Sequence, residues 1–191
     1  MRTEESQSGY VRLWLDKKDK QQLVCYYDDD PIRQVAIRLM LESGLRADEV
    51  PRVSANDLSA SEEADLTRLK VREAKAGRRE TVVPSSLAQQ IRTVSNIQDS
   101  SFVVDVTKRT VRNWVYDACE DIQEETGEPD WEEMSPHDLR RTWASGLVQD
   151  GVSETLVMNW GGWKNYETFR DHYFLESDEQ IEKQLQRVDG F

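Results

Sequence analysis

The chain has 191 residues, with 37 acids against 25 lysines and arginines and a formal charge of −12. That length supports a hydrophobic core in one good-sized domain or two small ones, and 37% apolar residues with six tryptophans exclude a disordered chain. No apolar run approaches the roughly 20 residues of a membrane span, MRTEESQSGY lacks the apolar stretch of a signal peptide, and the two cysteines, Cys25 and Cys119, exclude a disulfide framework or a four-cysteine metal site.

Residues 1 to 30 are polar and read as an N-terminal segment or linker, with a short helix expected at Tyr10 to Lys20. Asp30 caps a helix with Pro31 at its first position. Ile32, Val35, Leu39 and Met40 recur at helical spacing, and Gly44 suits the stop. A second short helix is expected after Leu45, carrying Arg46 and Glu49. LTRLKVREAKAGRRETVVP, residues 66 to 84, reads as two or three short strands around a turn at Ala76-Gly77. Pro84-Ser85-Ser86 ends that sheet and opens a helix through about Ile97. Thr107 to Glu125 forms another helix, with Val111, Trp114, Val115 and Ala118 inward, followed by a loop holding Gly127, Pro129 and Trp131. In SPHDLRRTWASGL, Ser135 is the N-cap, Pro136 the first helical residue, and Asp138 completes a capping-box pattern. Further helices are expected at Ser153 to Trp160, Glu167 to Phe174 and Asp178 to Val188. The expected fold is α+β, mainly helical, with a small antiparallel β-sheet.

On the helix after Ser135, Leu139, Trp143, Gly146 and Leu147 share an inward face. His137 lies about 200° from Leu139 around the axis. His137, Arg140 and Arg141 are therefore expected on a different, cationic side. A helix start already attracts anions through its free N–H groups and dipole, so added base makes a phosphate-like site. As an isolated motif, HxxR is weak. Three other stretches join it. LMLESGLRADEV sets Arg46 after a glycine stop with Glu49 one turn on. AKAGRR puts Lys75 at a strand turn. WGGWKNYETFRDHYF puts Trp163 after a glycine-rich turn, followed by a helix bearing Tyr173. Each has a bland alternative: a surface ion pair, a solvated hairpin tip, or core aromatics.

Taken together and in this order, these stretches resemble the catalytic domain of the tyrosine recombinases, the phage-integrase family. The resemblance covers about Pro31 to Phe174 and implies that Arg46, Lys75, His137, Arg140, Trp163 and Tyr173 are the catalytic set, with Glu49 in support. It divides the chain into a lead-in over 1–30, a catalytic domain over 31–174 and a C-terminal helical tail over 175–191. It further implies that a tyrosine attacks a DNA phosphodiester to give a 3′-phosphotyrosyl link, with no cofactor and no metal. Arg46 and Arg140 would hold the nonbridging oxygens. His137 would manage the tyrosine proton, Lys75 would protonate the leaving 5′-oxygen, and Glu49 would orient His137 or brace Arg46. Trp163 would position and pack.

Two departures stand out. The family tyrosine lies about nine positions past the His/Trp site, where this chain has His172 and then Tyr173; Tyr166 is too close to the turn. Only the first 30 residues precede the match, too few for the family's helical clamp domain. This reads as an excised catalytic domain, a minimal member or a remnant. The implied partner is double-stranded DNA, with self-association into a tetrameric synapse and no membrane. Alternatives are a type IB topoisomerase-like activity and a cleavage-deficient DNA-binding regulator. The acid is dispersed, in Asp28-Asp29-Asp30, Glu62-Glu63, Glu124-Glu125 and Glu132-Glu133. That pattern fits a halophilic, haloarchaeal source and a cytoplasmic setting, in which net charge says little about partners.

Overall fold

The computed structural model describes residues 1–5, 9, 11–61, 66–72, 77, 79–98 and 100–173, with side chains in the last helix described through Arg170. The chain begins with an antiparallel hairpin, β1 (Arg2–Glu5) and β2 (Val11–Trp14), and then α1 (Lys17–Cys25). The helix expected at Tyr10 to Lys20 is therefore corrected: its first half is strand. That strand pairs with β1 and is also anchored nonlocally. The Leu13 N–H donates to Oδ1 of Asp138 at 3.2 Å and the Leu15 N–H to Oγ1 of Thr142 at 2.9 Å, so β2 lies on a helix more than a hundred residues away. Leu13 and Leu23 are wholly buried in the main core, so the polar lead-in contributes to it.

Helix α2 (Pro31–Ser43) starts and stops on the expected residues. The Asp30 carboxylate accepts the Arg33 N–H at 3.1 Å, Pro31 takes the first position, and Gly44 closes the helix at φ +66°. The Leu45 N–H then reaches back to the Leu39 carbonyl at 3.1 Å, a wrapped C-terminus that turns the chain toward Arg46. The helix expected after Leu45 is instead a turn followed by a 3₁₀ turn at Val50–Arg52. Pro51 removes a backbone donor there, and a regular helix does not develop.

A three-stranded antiparallel sheet follows, in the order β3 (Leu58–Ala60), β4 (Thr67–Val71) and β5 (Arg79–Val83), with Leu69 opposite Thr81 and Val71 opposite Arg79. Alternation is plain in β5, where Arg79, Thr81 and Val83 point inward. Helices α3 (Ser85–Ile97) and α4 (Lys108–Thr126) come next. Val111, Val115, Ala118 and Ile122 form the buried stripe of α4, while Trp114 is half-buried. Trp131, expected in a loop, belongs to a 3₁₀ turn at Pro129–Trp131 and is wholly buried. The chain finishes with α5 (Pro136–Gln149), α6 (Glu154–Gly161) and α7 (Tyr166–Tyr173).

Two hydrophobic clusters result. The larger joins β2, α1–α5 and the three-stranded sheet; the smaller joins α5, α6 and α7 through Trp143, Val157 and Phe169, with Trp163 packed against it. The pocket described below draws on both clusters, its arginines tied to each. The helix expected at Asp178 to Val188, and the tail from 175 to 191, lie outside the described residues.

Candidate active site

Helix α5 begins the site. The Asp138 carboxylate accepts the Ser135 N–H at 3.0 Å and also bonds the Ser135 hydroxyl, fixing the first turn. Asp138 is fully buried and turned to the β2 side, where it also meets the Leu13 N–H and the Arg141 guanidinium. The acid of this helix start is thereby consumed behind the helix, and the opposite side keeps its positive character. Arg141 goes with the acid. The expectation of one cationic side is corrected: His137 is exposed, Arg140 is wholly buried, and Arg141 is buried against Asp138.

Arg140 is held in three directions. Its Nη1 donates to the Gly44 carbonyl and its Nη2 to the Gly161 carbonyl at 2.5 Å. Its guanidinium lies over the Trp163 ring, 4.0 Å from the centroid. The two carbonyls are those left open at the ends of α2 and α6, so one side chain closes two helix termini. Glycine is required at both places. A Cβ on Gly44 would meet Trp143 Cε3 at 2.2 Å, and one on Gly161 would meet Trp163 Cζ3 at 1.9 Å. Trp163 itself stacks on Trp143 with centroids 6.2 Å apart and tilts against Phe169 at 5.1 Å.

Arg46 emerges from the turn after Gly44. Its Nη1 donates to Oε1 of Glu49 at 3.1 Å, and its backbone N–H to Oε2 of the same carboxylate at 2.7 Å. Glu49 is 1% exposed and Arg46 23%, so the acid is interior and the guanidinium reaches out. Of its two expected duties, orienting His137 or bracing Arg46, Glu49 makes the contacts of the second.

Arg46, His137 and Arg140 line one cavity of about 450 Å³, which Ser135 and Pro136 share at the start of α5. Its far wall is α4, through Lys108, Arg112 and Tyr116. Arg112 Nη2 donates to Tyr116 Oη at 3.1 Å. These three were not singled out in the sequence. Their spacing of four, on the exposed flank beside the buried stripe of α4, was the signal that could have found them. The cavity gathers five cationic or potentially cationic groups, against one acid, Asp48. It suits a phosphate group with its oxygens between arginines and a helix start.

Two of the expected catalytic residues stand apart from this account. Lys75 lies in the connection between β4 and β5, outside the described residues, and Tyr173 closes α7 with its side chain likewise undescribed. Tyr166 is half exposed at the start of that helix.

Fold and cavity together define a mainly helical α+β domain with an arginine-lined pocket. The phage integrase family model matches residues 13–180. The chain belongs to the phage integrase family. It is 34% identical over 96 residues to the integrase of Salmonella phage P22, a stretch covering 49% of this chain and 25% of that relative. In three dimensions it resembles the XerA recombinase, with TM-score 0.74 and 15% identity, over 94% of this chain and 66% of that one. It also resembles the Tn1549 transposon integrase solved with transposon right end DNA, with TM-score 0.70 and 13% identity, over 92% and 66% respectively. The chain thus spans a quarter of the P22 integrase and just under two thirds of these solved structures.

Proposed function

We propose that the chain is the catalytic domain of a site-specific DNA recombinase or integrase that cleaves and rejoins strands through a 3′-phosphotyrosyl intermediate. The observation that carries this is the shared cavity of Arg46, His137 and Arg140, with Glu49 behind one arginine and Trp163 beneath the other. In this reading, Tyr173 Oη attacks phosphorus while the bond from phosphorus to the 5′-oxygen breaks. Arg46 and Arg140 hold the two nonbridging oxygens as charge builds on them. His137 takes the tyrosine proton, and Lys75 gives a proton to the departing 5′-oxygen. The phosphotyrosyl bond conserves the energy of the broken ester, and an incoming 5′-hydroxyl reverses the step to join a new strand. No cofactor or metal enters.

Double-stranded DNA is the partner. Lys108, Arg112 and Tyr116 on α4 line the same cavity and would hold the backbone beside the reacting phosphate. Recombination between two sites calls for a tetrameric synapse, to which the segment 175–191 contributes the contact between protomers. The dispersed acid and charge of −12 support a haloarchaeal, high-salt setting, and work on DNA supports the cytoplasm.

The test is a nicked suicide duplex at molar salt, scored for a detergent-resistant protein–DNA adduct. The expected result is an adduct with wild type and none with Tyr173→Phe. Adducts that survive Tyr173→Phe but vanish in Tyr166→Phe overturn the nucleophile. Tight DNA binding with no adduct under any condition refutes cleavage and leaves a DNA-binding regulator.

A further inference from the structure

Arg79 opens β5, four residues past Lys75, and none of the matched motifs gives it a role. It is buried, and its guanidinium is bonded at both ends. Nη2 donates to Oε2 of Glu49 at 2.6 Å, and Nη1 donates to the Trp160 carbonyl at 2.8 Å. Both acceptors lead into the cavity. Glu49 is the carboxylate that grips Arg46 by side chain and backbone. Trp160 precedes Gly161, whose carbonyl Arg140 takes, and the turn then places Trp163 under Arg140. Two arginines therefore hold successive carbonyls at the end of α6, Arg79 that of Trp160 and Arg140 that of Gly161.

The charges make a second point. Arg46 and Glu49 alone would form a neutral pair, and Arg46 would present little field to an anion. With Arg79 on the same carboxylate the trio carries one net positive charge. Exposure decides where that charge is felt: Glu49 is 1% exposed and Arg79 5%, while Arg46 is 23% exposed at the cavity wall. Burial pulls the Arg79 guanidinium below the ordinary arginine value, opposed by Glu49 and reinforced by Arg46. It nevertheless remains charged at working pH.

We propose that Arg79 is a positioning residue for the pocket: as counter-ion to Glu49 it leaves the charge of Arg46 uncancelled toward a phosphate, and through Trp160 it locks the turn beneath Arg140. The proposal rests on the phosphoryl-transfer reading of the same cavity. A plain structural ion pair would share the geometry but would have no effect on how an anion is held.

The test uses the full chain and three variants: Arg79→Gln, Arg79→Lys, and Arg79→Gln combined with Glu49→Gln. Three quantities are measured: the adduct rate on a nicked duplex at saturating protein, unfolding in urea, and inorganic phosphate affinity followed at the Arg46 Nε–H by NMR. Arg79→Gln should slow the chemical step roughly ten- to a hundredfold, the scale of a small misplacement at a reacting centre, and should weaken phosphate binding. Arg79→Lys should keep the phosphate affinity and recover part of the rate. Adding Glu49→Gln to Arg79→Gln should recover phosphate affinity and only part of the rate, because removing the carboxylate restores the net charge but not the tie to the Trp160 carbonyl. The idea is overturned by an unchanged phosphate affinity in Arg79→Gln, or by a rate loss equal to the unfolded fraction alone. A double variant no better than Arg79→Gln also overturns it. Should Arg79→Gln not fold, loss of phosphate affinity in the folded Arg79→Lys overturns it equally. If wild type forms no adduct while phosphate affinities follow the expected order, cleavage fails and Arg79 keeps its role.

Discussion

Arg46 and Arg140 are assigned the same task on phosphate, yet their replacement by alanine should differ sharply in what it does to the fold. Arg46→Ala removes a side chain that is 23% exposed and bonds the Glu49 carboxylate. Glu49 keeps the Arg46 backbone N–H at 2.7 Å and Arg79 at 2.6 Å. The stability cost should be about 1 kcal/mol or less, the scale of a partly exposed ion pair. Arg140→Ala is another matter. It strips donors from the Gly44 and Gly161 carbonyls, both buried, at about 1–3 kcal/mol each. It also removes a guanidinium stacked 4.0 Å from the Trp163 centroid, worth about 1–2 kcal/mol when desolvated, and leaves a void. Because these losses share one site they do not simply add, and the expected total is about 4–6 kcal/mol. That is a large part of the roughly 5–15 kcal/mol by which a domain is folded. Urea unfolding followed by tryptophan fluorescence, with the adduct assay in the same buffer, measures both effects. Arg46→Ala should be a folded protein whose cleavage is slower by about two to three orders of magnitude; Arg140→Ala should lose cleavage largely by losing structure. Equal urea midpoints for the two alanine variants would refute the reasoning, since the carbonyl ties of Arg140 would then carry no stability.

Three further outcomes follow from the same geometry. Gly44→Ala should destabilise by about 2 kcal/mol or more in urea, from an L-residue at positive φ and from the Cβ contact with Trp143; a loss under 1 kcal/mol contradicts it. Lys108→Ala and Arg112→Ala should each weaken DNA binding irrespective of sequence and lower the slope of log affinity against log salt by about 0.9; an unchanged slope removes α4 from the DNA path. At pH 8 a thiol reagent should label exposed Cys25 in the native protein and reach Cys119 only after denaturation, because burial, aided by Asp138, pushes that thiol up to about 12; rapid native labelling of both disproves the packing of α4.

The starts of α2 and α5 were legible in the sequence because capping is local. Asp30 with Pro31 and Ser135 with Asp138 act within a single turn, and Gly44 was readable as a stop because left-handed backbone favours glycine. Strand β2 was not legible: it pairs in a hairpin with β1, whose residues are polar, and it is anchored from across the chain by Asp138 on Leu13 and, just beyond the strand, Thr142 on Leu15. Helical geometry separated Arg140 from Leu139 but said nothing of what would cover Arg140. Its burial comes from α2, α6 and Trp163 meeting on it. Arg46 and Glu49 were legible as a pair, three residues apart, whereas Arg79 joins them from 30 residues away and carries no local signature.

The chain's acidity and its proposed work on DNA are reconciled by distance. A charge of −12 opposes a polyanion through long-range repulsion between exposed groups. The Debye length falls from about 10 Å at 0.1 M salt to about 3 Å at 1 M, so at high salt that repulsion is confined to near contact. Interactions inside the cavity suffer much less, because Arg140 is wholly buried and Glu49 and Arg79 are nearly so. High salt therefore removes the penalty of the acidic surface and largely spares the arginines proposed to hold phosphate. The same screening would erode a site built only from exposed lysines. Under the proposed high-salt setting, a site for phosphate is best served by cations that are buried, as Arg140 and Arg79 are, or braced by a buried carboxylate, as Arg46 is.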